Sequence, residues 1–126
     1  MELNKYQQAL LAGWEEVFKK GQLTLWIALA LKAGPKHMSE IKDFITNLTN
    51  GTSEVDDRSI YRALRRYHQA DIVAFTMVPG DHGPERKVYH LTENGTLLVE
   101  AFCKRNVIDV FYRPEIKRLI EEEATS

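Results

Sequence analysis

The 126-residue chain holds one cysteine, Cys103, so no internal disulfide can staple it and its stability must come from packing. A lone thiol suits a reducing compartment, and a cytoplasmic protein is expected. No large excess of charge of either sign is present: 17 Lys and Arg face 18 Asp and Glu, for a net charge of −1. A polyanion partner would therefore have to be met by a local basic patch, because no global field exists to attract it. No long apolar run occurs; Leu25 to Leu31 is the longest and is far too short for a membrane span. No basic stretch followed by a small-residue cleavage site opens the chain, so no export signal is read. Without one, the sequons at Asn47, Asn50 and Asn94 read as chance. Metal signatures are missing too. His37, His68, His82 and His90 fall on different segments, and with Asp81 and Cys103 they make no CxxC or HExxH spacing. Neither a Gly-rich phosphate loop nor a nucleophile elbow is found, so no enzyme, cofactor or metal is expected.

What remains is a globular composition, 44% hydrophobic and 28% charged, sized for one compact unit. Leu3, Tyr6, Leu10, Trp14, Val17 and Phe18 recur at helical spacing, with Lys19, Lys20 and Gly21 as a stop signal. Gln22 to Lys32 is apolar on nearly every side, predicts a buried helix and ends at Gly34-Pro35. Met38 to Leu48 predicts a third helix, with Ile41, Phe44, Ile45 and Leu48 on one face. A fourth begins near Asp56 or Asp57, either of which can cap it, and turns Ile60, Ala63, Leu64 and Tyr67 to the core. The period then shifts to two: Val73, Phe75 and Met77 alternate, a Gly-, Pro- and Asp-rich turn follows, and Arg86 to Leu91 returns as a second strand. Thr92 caps a last helix with apolar Leu97, Leu98, Ala101, Phe102, Ile108, Phe111 and Tyr112. Pro114 breaks it before a short charged helix over Glu115 to Glu123.

Helices followed by a two-stranded hairpin and a further helix form the winged helix-turn-helix order, a mainly α protein with a small β-hairpin (α+β). In such folds one helix enters the DNA major groove and the hairpin reaches the flanking backbone. The charges fit that use. Arg58, Ser59, Tyr61, Arg62, Arg65 and Arg66 point away from the core of the fourth helix, and Arg86 and Lys87 lie at the base of the hairpin. Arg58, Ser59 and Arg62, nearest the helix N-terminus, are assigned to base edges; Tyr61 and Arg65 are assigned to phosphate. An arginine-rich face is by itself commonly just a solvated face. The adjoining basic hairpin tips the reading toward double-stranded DNA. The competing class is a winged-helix protein-interaction module without DNA binding, which the near-neutral charge favours and the arginine stripe opposes.

Three segments resemble the PadR family of transcriptional regulators. They are Leu31-Lys32-Ala33-Gly34-Pro35-Lys36-His37 with Glu40-Ile41, then Ser59 to Arg66, then Gly83 to Gly95 with its basic pair, tyrosine and Leu-Thr-Glu-x-Gly order. The resemblance spans about Gly21 to Phe102 and adds Lys36 to the DNA-contact set. It implies a homodimeric repressor on a near-palindromic operator, with recognition helices roughly 34–36 Å apart. It further implies that the terminal helices pair the protomers, through Leu97, Leu98, Ala101, Phe102, Ile108 and Phe111 with Tyr6, Leu10 and Trp14. The parts are then residues 1–20 as an N-terminal helix, 21–92 as the DNA-binding domain and 93–126 as a dimerisation helix. Some relatives stack flat hydrophobic compounds between aromatic residues at the dimer interface; Phe102, Phe111 and Tyr112 keep a small hydrophobic effector as a candidate partner. Two departures stand out: Met38-Ser39 replaces the family's Gly-Tyr, and Asp71 stands where a glycine commonly ends the recognition helix. Cys103 reads as a small buried hydrophobe, with a redox sensor as the lesser alternative.

Overall fold

The computed structural model describes residues 2–122. Its elements are α1 (Lys5–Lys20), α2 (Leu23–Ala33), β1 (Lys36–His37), α3 (Met38–Leu48), α4 (Asp57–Gln69), β2 (Val73–Val78), β3 (Arg86–Leu91) and α5 (Glu93–Cys103). A π-helical turn (Lys104–Ile108), α6 (Asp109–Phe111) and α7 (Pro114–Glu121) follow. Glu123, placed in the last helix by the sequence, lies outside the described residues.

The core sits where α2, α3 and α4 meet one face of the sheet. Ile27, Ala30 and Leu31 from α2 are buried against Ile41 and Ile45 of α3, Ile60, Ala63 and Leu64 of α4, and Val73 and Tyr89 of the sheet. Fully burying each of the large aliphatic side chains here stabilises the fold by about 1.5–3 kcal/mol. Of the periodic positions of α3 and α4 that the sequence turned inward, Ile41, Ile45, Ile60, Ala63 and Leu64 are buried and Phe44 and Tyr67 half-buried, but Leu48, in the last turn of α3, is exposed. The Tyr67 hydroxyl donates to Thr24 Oγ1 at 3.0 Å, tying the end of α4 to the start of α2.

The sheet has three strands, in the order β1-β3-β2, where the sequence predicts a two-stranded hairpin. β2 and β3 pair antiparallel from Val73↔Leu91 to Val78↔Arg86. The added strand pairs Lys36 with Tyr89 and His37 with Val88. Two residues carry no periodicity, so β1 leaves no signal in the sequence. It arises because Gly34, at φ +151°, turns the chain leaving α2 alongside the open edge of β3.

The last helix is also not continuous. A π-turn at Lys104–Ile108 interrupts it between α5 and α6, with the Asn106 amide donating to the Phe102 carbonyl at 3.1 Å. Asp71 does adopt the left-handed backbone that a glycine would take, at φ +59°. Its carbonyl accepts hydrogen bonds from Thr92 Oγ1 at 2.6 Å and Asn94 Nδ2 at 3.2 Å. Those bonds fasten the turn after α4 to the first turn of α5.

Candidate nucleic-acid interface

Asp56 starts the site. Its carboxylate accepts the Ser59 backbone N–H at 2.6 Å, which sets the first turn of α4. Bonds from the Ser59 backbone and hydroxyl hold the Asp56 carboxyl below the ordinary aspartate range, and the nearby charges of Arg58 and Arg62 add to this. Asp57, the other candidate cap, instead pairs with Lys42 at 3.1 Å.

With Ile60, Ala63 and Leu64 buried, Arg58, Arg62 and Arg65 occupy the opposite face at i, i+4 and i+7, all exposed. Arg66 is exposed as well. None of these four guanidinium groups forms an ion pair or side-chain hydrogen bond among the described residues. The six ion pairs there involve Lys20, His37, Lys42, Arg86, Lys104 and Arg113. Asp56, whose carboxyl feels the charges of Arg58 and Arg62, is already engaged by backbone, and Asp57 by Lys42.

Tyr61 leaves α4 toward the wing. It lines a concave surface with His37 and Ser39 at the start of α3, Met77 of β2, and Arg86 and Lys87 of β3. The structure thus brings the fourth helix and both wing cations to one groove through Tyr61, which is 47% exposed. Beneath it, burial and the neighbouring Tyr61 push the Tyr89 hydroxyl above the usual tyrosine range. Lys87 has its ammonium 4.6 Å from the centroid of the Phe75 ring, and Phe75 in turn packs on His68 at 5.0 Å and Tyr89 at 5.7 Å. This aromatic column holds the ammonium of Lys87 over a ring face while the residue stays exposed. Arg86 is held by His37 Nε2 at 3.1 Å and by the exposed Asp81 at 3.4 Å.

Two residues of the expected contact set are occupied otherwise. The Lys36 ammonium turns inward, donating to the Ala30 carbonyl at 2.8 Å and the Gly34 carbonyl at 3.3 Å, and lies 4.7 Å above the Phe44 ring. It neutralises the C-terminus of α2, where carbonyls lack helical partners. Ser59 is half-buried on the side of α4 facing Trp26 and Val55, away from Tyr61. Sequence reasoning missed His37, whose only signal was its position three residues before Glu40, the spacing of a capping box.

The residues expected to pair protomers are all exposed: Tyr6, Leu10 and Trp14 on α1, Leu97, Leu98, Ala101 and Phe102 on α5, Ile108 in the π-turn and Phe111 on α6. Trp14 is 79% exposed, and α1 has no buried residue at all. Leu98, Val99 and Phe102 of α5 form an apolar groove with Leu25 and Ala28 of α2. Among the described residues no cluster of His, Cys, Asp and Glu could hold a metal ion, and no helix is long and apolar enough to cross a membrane.

Comparison with known proteins gives this geometry a context. Residues 27–101 match the transcriptional regulator PadR-like family. A PadR-like transcriptional regulator from Bacillus cereus is 24% identical, with 82% of this chain and 96% of that one covered and a TM-score of 0.65. A PadR-like transcription factor from Bacteroides fragilis is 27% identical over 79% of this chain and 97% of its own, with a TM-score of 0.59. Bacillus subtilis PadR, solved in complex with operator DNA, is 18% identical and shares the fold at a TM-score of 0.58; the match covers 83% of this chain and 54% of that one. No curated protein sequence matches. Because the family pattern spans more than half of its residues, on the winged helix just described, the chain belongs to the PadR-like family of transcriptional regulators.

Proposed function

We propose that this regulator is a cytoplasmic homodimer that binds a near-palindromic double-stranded operator and represses transcription there. The observation that carries the reading is the unpaired Arg58-Arg62-Arg65 stripe, joined through Tyr61 to Arg86 and Lys87. Guanidinium groups with no acidic partner are available for phosphate or for guanine O6 and N7. In this reading residues 21–92 are the DNA-binding domain, Arg58 and Arg62 read bases, and Tyr61, Arg65, Arg66, Arg86 and Lys87 hold phosphate. Solved PadR with its operator is a member of the same fold that binds DNA.

Dimerisation follows from what a lone protomer leaves in water. The apolar stripe of α1 and the outer faces of α5 and α6 leave Tyr6, Trp14, Val17, Phe18, Leu97 and Phe111 in water, and apolar surface gathered in this way marks an interaction site. The α1 stripe of one protomer seats on the α5–α6 face of its partner, and the groove beside Phe102 is the place for a flat hydrophobic effector. Selection of bound duplexes from a random pool tests the function. Enrichment of a near-palindromic motif is expected; no enrichment over the starting pool would refute sequence-specific binding.

A further inference from the structure

We propose that His37 is a positioning residue of the DNA interface, holding Arg86 at the edge of the groove while neutral and releasing it when protonated. This rests on the DNA-binding reading above. The imidazole stands at the N-cap of α3, fixed by the last pair of the β1–β3 ladder. Its ring is asked for more than one ionisation state can give. Arg86 Nη1, which can only donate, lies 3.1 Å from Nε2. The Glu40 backbone N–H, also a donor, points at Nδ1 from 3.4 Å. The Glu40 carboxylate, an acceptor, lies 3.3 Å from Nε2 and also takes the His37 N–H at 3.1 Å.

A neutral imidazole offers one lone pair and one N–H. With Nδ1 protonated, Nε2 accepts from Arg86 and the long cap bond to Glu40 N–H is lost. With Nε2 protonated, the ring donates to the Glu40 carboxylate, accepts the cap bond, and has nothing for Arg86. Adding a second proton removes both lone pairs and places two cations side by side, so Arg86 must leave. Glu40 remains to pair with the imidazolium. The other charged groups facing the site are Glu85 and Lys87 from the wing and Asp81, which already binds Arg86 from the wing tip; Tyr61 faces it from α4. A released Arg86 and a charged His37 both lie on the groove proposed to receive phosphate. Acid therefore strengthens DNA binding by adding the His37 imidazolium to the groove, while Arg86 turns from the ring and keeps only its contact with the exposed Asp81.

Two measurements decide the matter. The first needs no DNA: ring-nitrogen NMR of His37 in the free protein at high pH, in wild type and Arg86→Ala. Losing the guanidinium should shift the ring toward the Nε2-protonated tautomer; identical ring spectra overturn the clasp. The second is fluorescence anisotropy with a selected duplex at pH 6 and pH 8, for wild type and His37→Gln. The glutamine amide can accept from Arg86 but does not titrate. His37→Gln is compared with itself at the two pH values, so any uniform change in its affinity does not enter the test. At pH 6 it should lack an acid gain of about fivefold and the accompanying increase of about one in the salt slope. An unchanged pH profile in His37→Gln overturns the inference alone. Absence of any duplex binding by wild type sinks the DNA-binding reading and this one with it, even where the NMR shift is seen.

Discussion

A Cβ placed on Gly95 would stand 2.0 Å from the carbonyl oxygen of Ile72 and 2.9 Å from its carbonyl carbon. The first turn of α5 therefore lies directly against the backbone leaving α4, and only a residue without a side chain fits. The Ile72 carbonyl is held there by the Thr92 N–H at 3.0 Å. Gly95→Ala has to push two backbone segments apart, with no flexible side chain to give way. We expect a loss of about 2–4 kcal/mol in unfolding free energy, read from the denaturant midpoint. A midpoint equal to wild type would mean the two segments are not packed as described.

Thr92 serves the same joint. Its hydroxyl accepts the Gly95 N–H at 2.9 Å and donates to the Asp71 carbonyl at 2.6 Å. Thr92→Val keeps the shape but removes both bonds, and should cost about 1–2 kcal/mol by the same measurement. Thr92→Ser, which keeps the hydroxyl, should recover most of that loss.

These contacts explain why the end of the third segment, Gly83 to Gly95, was informative: Thr92, Asn94 and Gly95 each answer one steric or hydrogen-bonding demand. The three packed helices were readable because the buried positions of α3 and α4 repeat at 3.6 residues. The hairpin was readable because Val73, Phe75 and Met77 repeat at two. Strand β1 was not, since Lys36 and His37 become a strand only by meeting the edge of β3. The π-turn at Lys104–Ile108 leaves the apolar pattern intact and so escapes notice. For the site, the outward arginines were readable by subtraction from the core. The inward turn of Lys36 and the local engagement of Ser59 depend on carbonyls and a carboxylate placed by tertiary structure. Likewise the stripe on α1 says that Trp14 and Phe18 must be covered, but not by which chain.

Asp56 links acidity to the start of α4. Its carboxyl is held below the ordinary aspartate range by the bonds from Ser59, so the folded state favours the ionised form. That stabilisation is fully present above the ordinary aspartate pKa and is lost as pH falls through the lowered, folded value. Asp56→Asn keeps a cap but cannot titrate. Its melting temperature should fall below that of wild type at neutral pH, and the gap should close under acid, by thermal scans across the acid limb. A gap that widens toward low pH would contradict the sign.

The association state provides a further test. Trp14 is nearly naked in the protomer, so its emission should shift to shorter wavelength as protein concentration rises through the dimerisation range. Phe102→Glu and Ile108→Glu should sediment as monomer, because each would set a carboxylate in the proposed dry interface at a cost of several kcal/mol. A wild-type-like dimer in both variants would remove these residues from the contact.

The central claim is that a free arginine stripe and a basic wing lie together against duplex DNA. It is tested most directly by anisotropy titrations over a salt series, using the selected duplex and a scrambled one. Arg62→Ala should lose about 1–3 kcal/mol on the selected duplex and little on the scrambled one. Lys87→Ala should weaken both equally and lower the salt slope by about one. Equal affinity of wild type, Arg62→Ala and Lys87→Ala for both duplexes at every salt concentration would contradict the account.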